Sequence, residues 1–292
     1  MFESKLASAV LENEFLRLEY LTTTGPRIVG LYVKDRQRNI LAETPKIHWE
    51  TPHGEYFLRG GHRLWTAPEN PFYICPEEGL SVIQENESIT LKGWVDASCL
   101  EKEITIRLDG NQVQLSHRIT WHGGYSVELA PWGITQLALG GIAILPFTRK
   151  EGLLPDRNVV LWPYSQLKDI RFDLLDNMML VYGRGMEHAF KVGTYNSHGW
   201  MAYTLGNILF VKRFSVQNGA YPDMQCNVEA YVKDSCVELE TLGPLTTLRC
   251  NESVTHEETW EAHFGEYSFT TEGIQNIYRQ LSQPENGAQN GK

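Results

Sequence analysis

"KEITIRLDGNQVQLSHRITWHG" (residues 102–123) alternates apolar and polar side chains on both sides of a short polar turn. Ile104, Ile106 and Leu108 occupy every second position. After Asp109-Gly110-Asn111, the period of two resumes at Val113, Leu115, His117 and Ile119. Successive side chains of a strand point to opposite faces, so the stretch predicts a β-hairpin with one face in a core. Outward from it, the same pattern recurs in "FLRLEYL" (15–21), "PRIVGLYVKD" (26–35), "LSVIQENESITLKGWVD" (80–96) and "YSVELAPWGITQLAL" (125–139). It continues in "NMMLVYG" (177–183), "WMAYTLGNILFVKRF" (200–214), "CNVEAYVKDSCVELETL" (226–242) and "ESVTHEETWEAHF" (252–264). Helical spacing is clear only in "TEGIQNIYRQLSQ" (271–283), through Ile274, Ile277, Tyr278 and Leu281.

No repeat of fixed period and no Pro- or Ser-rich linker interrupts the series. The expected architecture is therefore all-β: one antiparallel domain over residues 1–283, with two large packed sheets and few short helices. Residues 284–292, "PENGAQNGK", are expected to be a disordered tail.

The formal net charge of −10 argues against binding to nucleic acid or anionic membranes, whose phosphates an acidic surface repels. No apolar run approaches the ~20 residues that span a bilayer; the longest, "LALGGIAILPF" (137–147), is broken by glycines. "MFESKLASAVLENEF" (1–15) has no basic segment followed by an apolar core, so no secretory signal is expected. Five scattered cysteines without a C-x-x-C motif fit reduced thiols, a cytoplasmic location and no structural zinc. Dinucleotide, P-loop, zinc-protease and nucleophile-elbow signatures are absent, and no cofactor is expected.

Several stretches carry candidate chemistry. "RGGHRLWTAPENP" (59–71) crowds His62, Arg63, Trp65 and Glu69 between glycines and prolines. It reads as a functional loop with a titratable group, a donor and a stacking plate, or as a structural loop with Trp65 buried and Arg63 paired to Glu69. "VELAPWGIT" (127–135) places Glu128 and Trp132 around Pro131, where a proline signals an edge strand or a bulge. "FKVGTYNSHGWMAYTLGN" (190–207) offers Lys191 and His198. "GAYPDMQCNVEAY" (219–231) offers Asp223, Asn227 and Glu229, oxygens suited to a hard cation but in no recognised ligand spacing, and no metal is expected. In "VELETLGP" (237–244), Glu238 and Glu240 share one strand face while Val237 and Leu239 share the other. Two acids on one face are either a solvated surface or a catalytic pair.

"GPRIVGLYV" (25–33), "GGHRLW" (60–65), "ELETLGP" (238–244) and "LRCNESVTHEETWEAHF" (248–264), in this order, resemble the galactose mutarotase-like superfamily of aldose 1-epimerases and hexose-phosphate epimerases. The resemblance implies a β-supersandwich with a sugar site on a concave sheet face. It further implies a late-strand glutamate as base, which Glu240 matches best and Glu238 matches in a register shifted by two. Arg63 corresponds to a substrate-binding arginine. The family's mid-chain histidine acid has no counterpart in "VELAPWGIT", which marks a divergent branch and leaves His198 or His62 to supply the proton. Around these, Arg63, Trp65, Glu69, Glu128, Trp132, Lys191, Asp223 and Glu238 would hold the substrate. The expected partner is a small carbohydrate, and the chain a monomer or homodimer. A glycoside hydrolase or lyase pairing Glu240 with Glu128 or Asp223 is a second reading, and a non-catalytic sugar-binding protein a third.

Overall fold

The computed structural model describes residues 6–34 and 38–282, so the tail expected at 284–292 lies outside the described residues. Two ten-stranded antiparallel sheets carry the fold. The first runs Ser8–Glu12, Leu16–Leu21, Ile28–Val33, His62–Ala67, Val127–Leu137, Val237–Leu242, Val228–Val232, Phe190–Thr194 and Val160–Leu161, with Thr246–Leu248 also paired to Val127–Leu137. The second runs Phe172–Leu174, Met178–Tyr182, Ile142–Pro146, Trp200–Leu205, Ile208–Phe214, Ser253–Phe264, Gln112–Trp121, Leu100–Asp109, Ser88–Gly93 and Leu80–Glu85. Glu43–Thr51 and Gly54–Gly60 form a separate two-stranded ribbon.

The opening hairpin forms as its alternation predicts. Asp109 pairs with Gln112, leaving Gly110 and Asn111 as the loop, and Gly110 takes the left-handed conformation at φ +56°. Ile104, Ile106, Val113, Leu115 and Ile119 are buried in the core between the sheets. That core draws Leu18, Ile28, Leu31, Leu64, Leu137 and Leu239 from the first sheet and Tyr203, Phe210 and Trp260 from the second. Helix Thr271–Ser282 seals the outer face of the second sheet by burying Ile274 and Ile277 against Ile144, Trp200 and Val211. The two-stranded ribbon packs Tyr56 and Leu58 on Trp65, Trp132 and Ile134 at the outer face of the first sheet.

Two expectations are corrected here. Residues 62–67 are a central strand rather than a loop: every one of them is buried, because a strand covered on both faces shows no apolar–polar alternation. Gly60 and Gly61, at φ +92° and +71°, turn the chain into it, and a Cβ on Gly61 would lie 1.9 Å from the Ile28 carbonyl oxygen. Pro131 likewise lies in no edge strand. Val127–Leu129 pairs with Thr246–Leu248, and Trp132–Leu137 pairs with Val237–Leu242, so the proline falls where the strand changes partners. Its missing N–H breaks no ladder there.

Candidate functional site

Cross-strand register assembles the site. Arg63, Ile134, Glu240 and Glu229 are successive partners across four neighbouring strands of the first sheet. Gln136, Glu238, Tyr231 and Lys191 form the next row. Directly paired residues share a face, and Val237 and Leu239 belong to the inter-sheet core, so both rows project from the outer face. They form the floor of a cavity of about 400 Å³, whose walls include Trp49, Trp65, Trp132 and Tyr164.

The charged groups are interlocked. Glu240 Oε2 accepts hydrogen bonds from Trp132 Nε1 and Lys191 Nζ, each at 2.8 Å. The same ammonium lies 2.7 Å from Glu229 Oε2 and 4.5 Å from the ring centres of both Trp132 and Trp162. Arg63 Nη2 donates to Glu238 Oε1 at 3.2 Å, with the guanidinium 4.4 Å above Trp65. Burial disfavours the Lys191 charge, but Glu229 and Glu240 outweigh it and hold the ammonium above its ordinary range. Burial pushes the Glu229 carboxyl well up, and Glu240's charge adds to this against the pull of Lys191. Glu238 is raised by the same two influences, opposed by Arg63. Burial also pushes the Tyr164 phenol up to about 12. Five buried atoms on this patch have no hydrogen-bond partner within the chain: Arg63 Nε and Nη1, Gln136 Oε1, Glu229 Oε1 and Glu240 Oε1. Each such group costs about 1–3 kcal/mol if left unmatched.

Arg63, Trp65, Glu69, Trp132, Lys191 and Glu238 meet in this cavity. Glu240 lies beneath its floor, fully buried under Lys191 and Trp132. The other sequence candidates lie elsewhere. Glu128 points outward beyond the cavity, into a shallow depression with Pro68, Glu69 and Pro71. Asp223 occupies the short turn Pro222–Gln225 at φ +50°, serving local geometry. Asn227 is engaged with the backbone of Asn196 and Glu229 with Lys191, so Asp223, Asn227 and Glu229 form no common cation site. His198 bonds the Phe147 carbonyl at 2.8 Å and packs on Tyr278 of the C-terminal helix. Position within the strand excludes His62: it alternates with Arg63 and so points inward.

There His62 joins a buried network with a defined proton order. A carbonyl only accepts, so His117 Nδ1 donates to His256 O at 3.0 Å and His117 Nε2 accepts from His62 Nε2 at 2.7 Å. His62 Nδ1 in turn accepts from Thr135 Oγ1 at 2.9 Å, which accepts from Lys212 Nζ at 3.1 Å. Burial keeps both histidines neutral by lowering their pKa values. Lys212 also reaches Glu258 at 3.1 Å and donates to the carbonyls of Gly133 and Leu239. The donor atoms of His62, His117 and Glu258 lie within 4.8 Å of one another, yet Lys212 already supplies the countercharge there. The network ties the two strands bearing Trp132 and Glu240 to the second sheet.

Sequence reasoning set Glu229 aside for a metal and passed over Gln136, Tyr164 and Tyr231. The alternation of Asn227, Glu229 and Tyr231 in "NVEAY" carried the same signal as Glu238 and Glu240, whereas Tyr164 lies in irregular chain with no periodicity to mark it.

A sheet pair with a polar, aromatic-walled cavity on one outer face defines a β-supersandwich protein with a candidate small-ligand site. No protein-family model matches the sequence, and no curated protein matches it. Among solved structures, a galactose mutarotase-like protein from Lactobacillus casei ATCC 334 is similar at a TM-score of 0.56, over 88% of this chain and 100% of that one, with 10% identity. A candidate aldose 1-epimerase from Escherichia coli K12 gives 0.53 over 88% and 99%, also at 10% identity. A TPR-domain containing protein from Parabacteroides distasonis ATCC 8503 gives 0.62 over 90% of this chain and 48% of that one, at 11% identity. The chain thus has the galactose mutarotase-like supersandwich fold that the sequence resemblance implied, at identities that mark a divergent branch.

Proposed function

We propose that this protein binds a monosaccharide in the cavity and catalyses proton transfer at its anomeric centre, as an aldose 1-epimerase-like isomerase. One observation carries the reading: five unpartnered buried donors and acceptors converge beside aromatic walls, a combination that a polyhydroxylated ring with an apolar face would satisfy. Interconverting anomers requires a base for the C1 hydroxyl and an acid for the ring oxygen; the ring opens, C1 rotates and the steps reverse. Glu238, rather than Glu240, is the carboxyl at the cavity wall, and its raised pKa favours reversible proton exchange. Tyr164 holds its proton at neutral pH and lines the same cavity, so it is assigned as the acid. Glu240 and Lys191 position Trp132 and the strand bearing Glu238.

Polarimetry on freshly dissolved aldoses tests this. Glu238→Gln should lose about 10²- to 10⁴-fold of the acceleration while keeping wild-type circular dichroism. If folded wild-type protein accelerates no sugar in a broad panel, the catalytic reading is wrong. The Arg63–Glu238 pair favours a second reading, a sugar-binding protein without turnover. In that case Glu238→Gln changes affinity alone. Glu128 and Asp223 lie outside the cavity, which removes the pairs on which the glycosidase reading stood.

A further inference from the structure

Carboxyl groups outnumber cations at this cavity. On and directly under its floor are Glu229, Glu238 and Glu240 against Arg63 and Lys191; at its wall and rim are Glu69 and Asp234 against Lys233. The unpartnered atoms have the same bias, with acceptors on Gln136, Glu229 and Glu240 and donors only on Arg63. The aromatic walls already hold cations: Lys191 lies between Trp132 and Trp162, and Arg63 lies over Trp65. Arg63 and Lys191 are themselves neutralised by the acids, so neither offers a free cation to a phosphate.

Building on the sugar reading above, we infer that the cavity selects a sugar bearing a protonated amine, a hexosamine, and rejects phosphorylated or acidic sugars. The surplus carboxyls attract the ammonium, the aromatic faces stabilise it, and the free acceptors take its N–H and O–H groups. A sugar phosphate would have to displace Glu238 from Arg63 and would meet Glu69 and Asp234 at the rim. The raised pKa values of Glu229 and Glu238, to which Glu240 contributes, report the same uncompensated negative charge.

Titration calorimetry on the full chain, at mildly acid pH where the amine is protonated, compares four probes in gluco-, galacto- and manno-configurations. These are the hexosamine, its N-acetyl derivative, the hexose and the hexose 6-phosphate. The hexosamine should bind at least about tenfold more tightly than its neutral N-acetyl counterpart, equivalent to about 1.4 kcal/mol, and the phosphate most weakly. Glu238→Gln should bring hexosamine and hexose to parity. Should that variant misfold, Glu69→Gln at the exposed rim should reduce the same ratio. Equal affinity for charged and neutral sugars, or tighter phosphate binding, would overturn the hexosamine assignment and leave the sugar reading in place. Binding of no probe by folded protein would overturn both.

Discussion

Replacing Lys191 with methionine tests whether the site depends on its buried charge. Methionine keeps a flexible stem between Trp132 and Trp162 but removes the ammonium that lies 2.7 Å from Glu229 and 2.8 Å from Glu240. At an effective dielectric constant of about 20, each contact represents roughly 6 kcal/mol of Coulomb attraction. Most of this offsets the desolvation of three charges. The measurable loss is that of breaking a buried pair, about 3–5 kcal/mol. The loss should depend on pH. A carboxyl with a raised pKa holds its proton more firmly folded than unfolded, so its contribution to stability is largest in acid and is lost as pH climbs from 4.5, its ordinary value, through the folded value. Without Lys191, Glu229 and Glu240 depend wholly on protonation. Urea unfolding of K191M should therefore show the full penalty at about pH 8 and a much smaller one at about pH 5. Adding Glu229→Gln should recover about 1–3 kcal/mol, as expected for groups in direct contact. A loss below about 1 kcal/mol at both pH values, or strict additivity with Glu229→Gln, would refute the reasoning.

Two further predictions concern the frame behind the site. Burial pushes His256 down to about 3 and also lowers His62 and His117, so stability is complete above their ordinary value of 6.5 and is lost as pH falls toward 3. The melting temperature should fall over this range, less steeply in His256→Gln, and a flat profile would show that these histidines titrate normally. Gly61→Ala should cost at least about 3 kcal/mol, since its Cβ would lie 1.9 Å from a backbone oxygen at φ +71°. Gly110→Ala, also at positive φ but with open space around the new carbon, should cost only about 1 kcal/mol.

How legible the molecule was depended on whether neighbouring side chains differ in polarity across a strand. Leu100–Asp109 and Gln112–Trp121 each have one face in the core, and their period of two could be read directly. The same rule put Glu238 and Glu240 opposite Val237 and Leu239, as the structure bears out. It failed at His62–Ala67, which is buried on both faces: Arg63 and Trp65 face the cavity, while His62 faces a polar network inside the core. A polar core residue and a polar site residue look alike in sequence, so His62 and Arg63 were assigned to one place although they project to opposite sides. His198 and Asp223 failed for another reason. Both lie near turns, where polar residues often satisfy nearby backbone and where no periodicity indicates direction.

The two-sided strands also explain why the acids on the outer face can be so crowded. Glu229, Glu238 and Glu240 would repel one another in a flexible sheet, and Lys191 and Arg63 compensate only part of their charge. The strand pair bearing Trp132 and Glu240 is anchored from behind by Lys212, which binds the carbonyls of Gly133 and Leu239 while facing Glu258. Gly133 makes this approach possible: a Cβ there would lie 2.3 Å from Glu258 Oε1. The inner network thus fixes the spacing of the outer carboxyls, and the repulsion they store is available to a cationic, donor-rich ligand. Weakening the inner anchor should therefore relax the outer site, lowering ligand affinity without removing any group that faces the cavity.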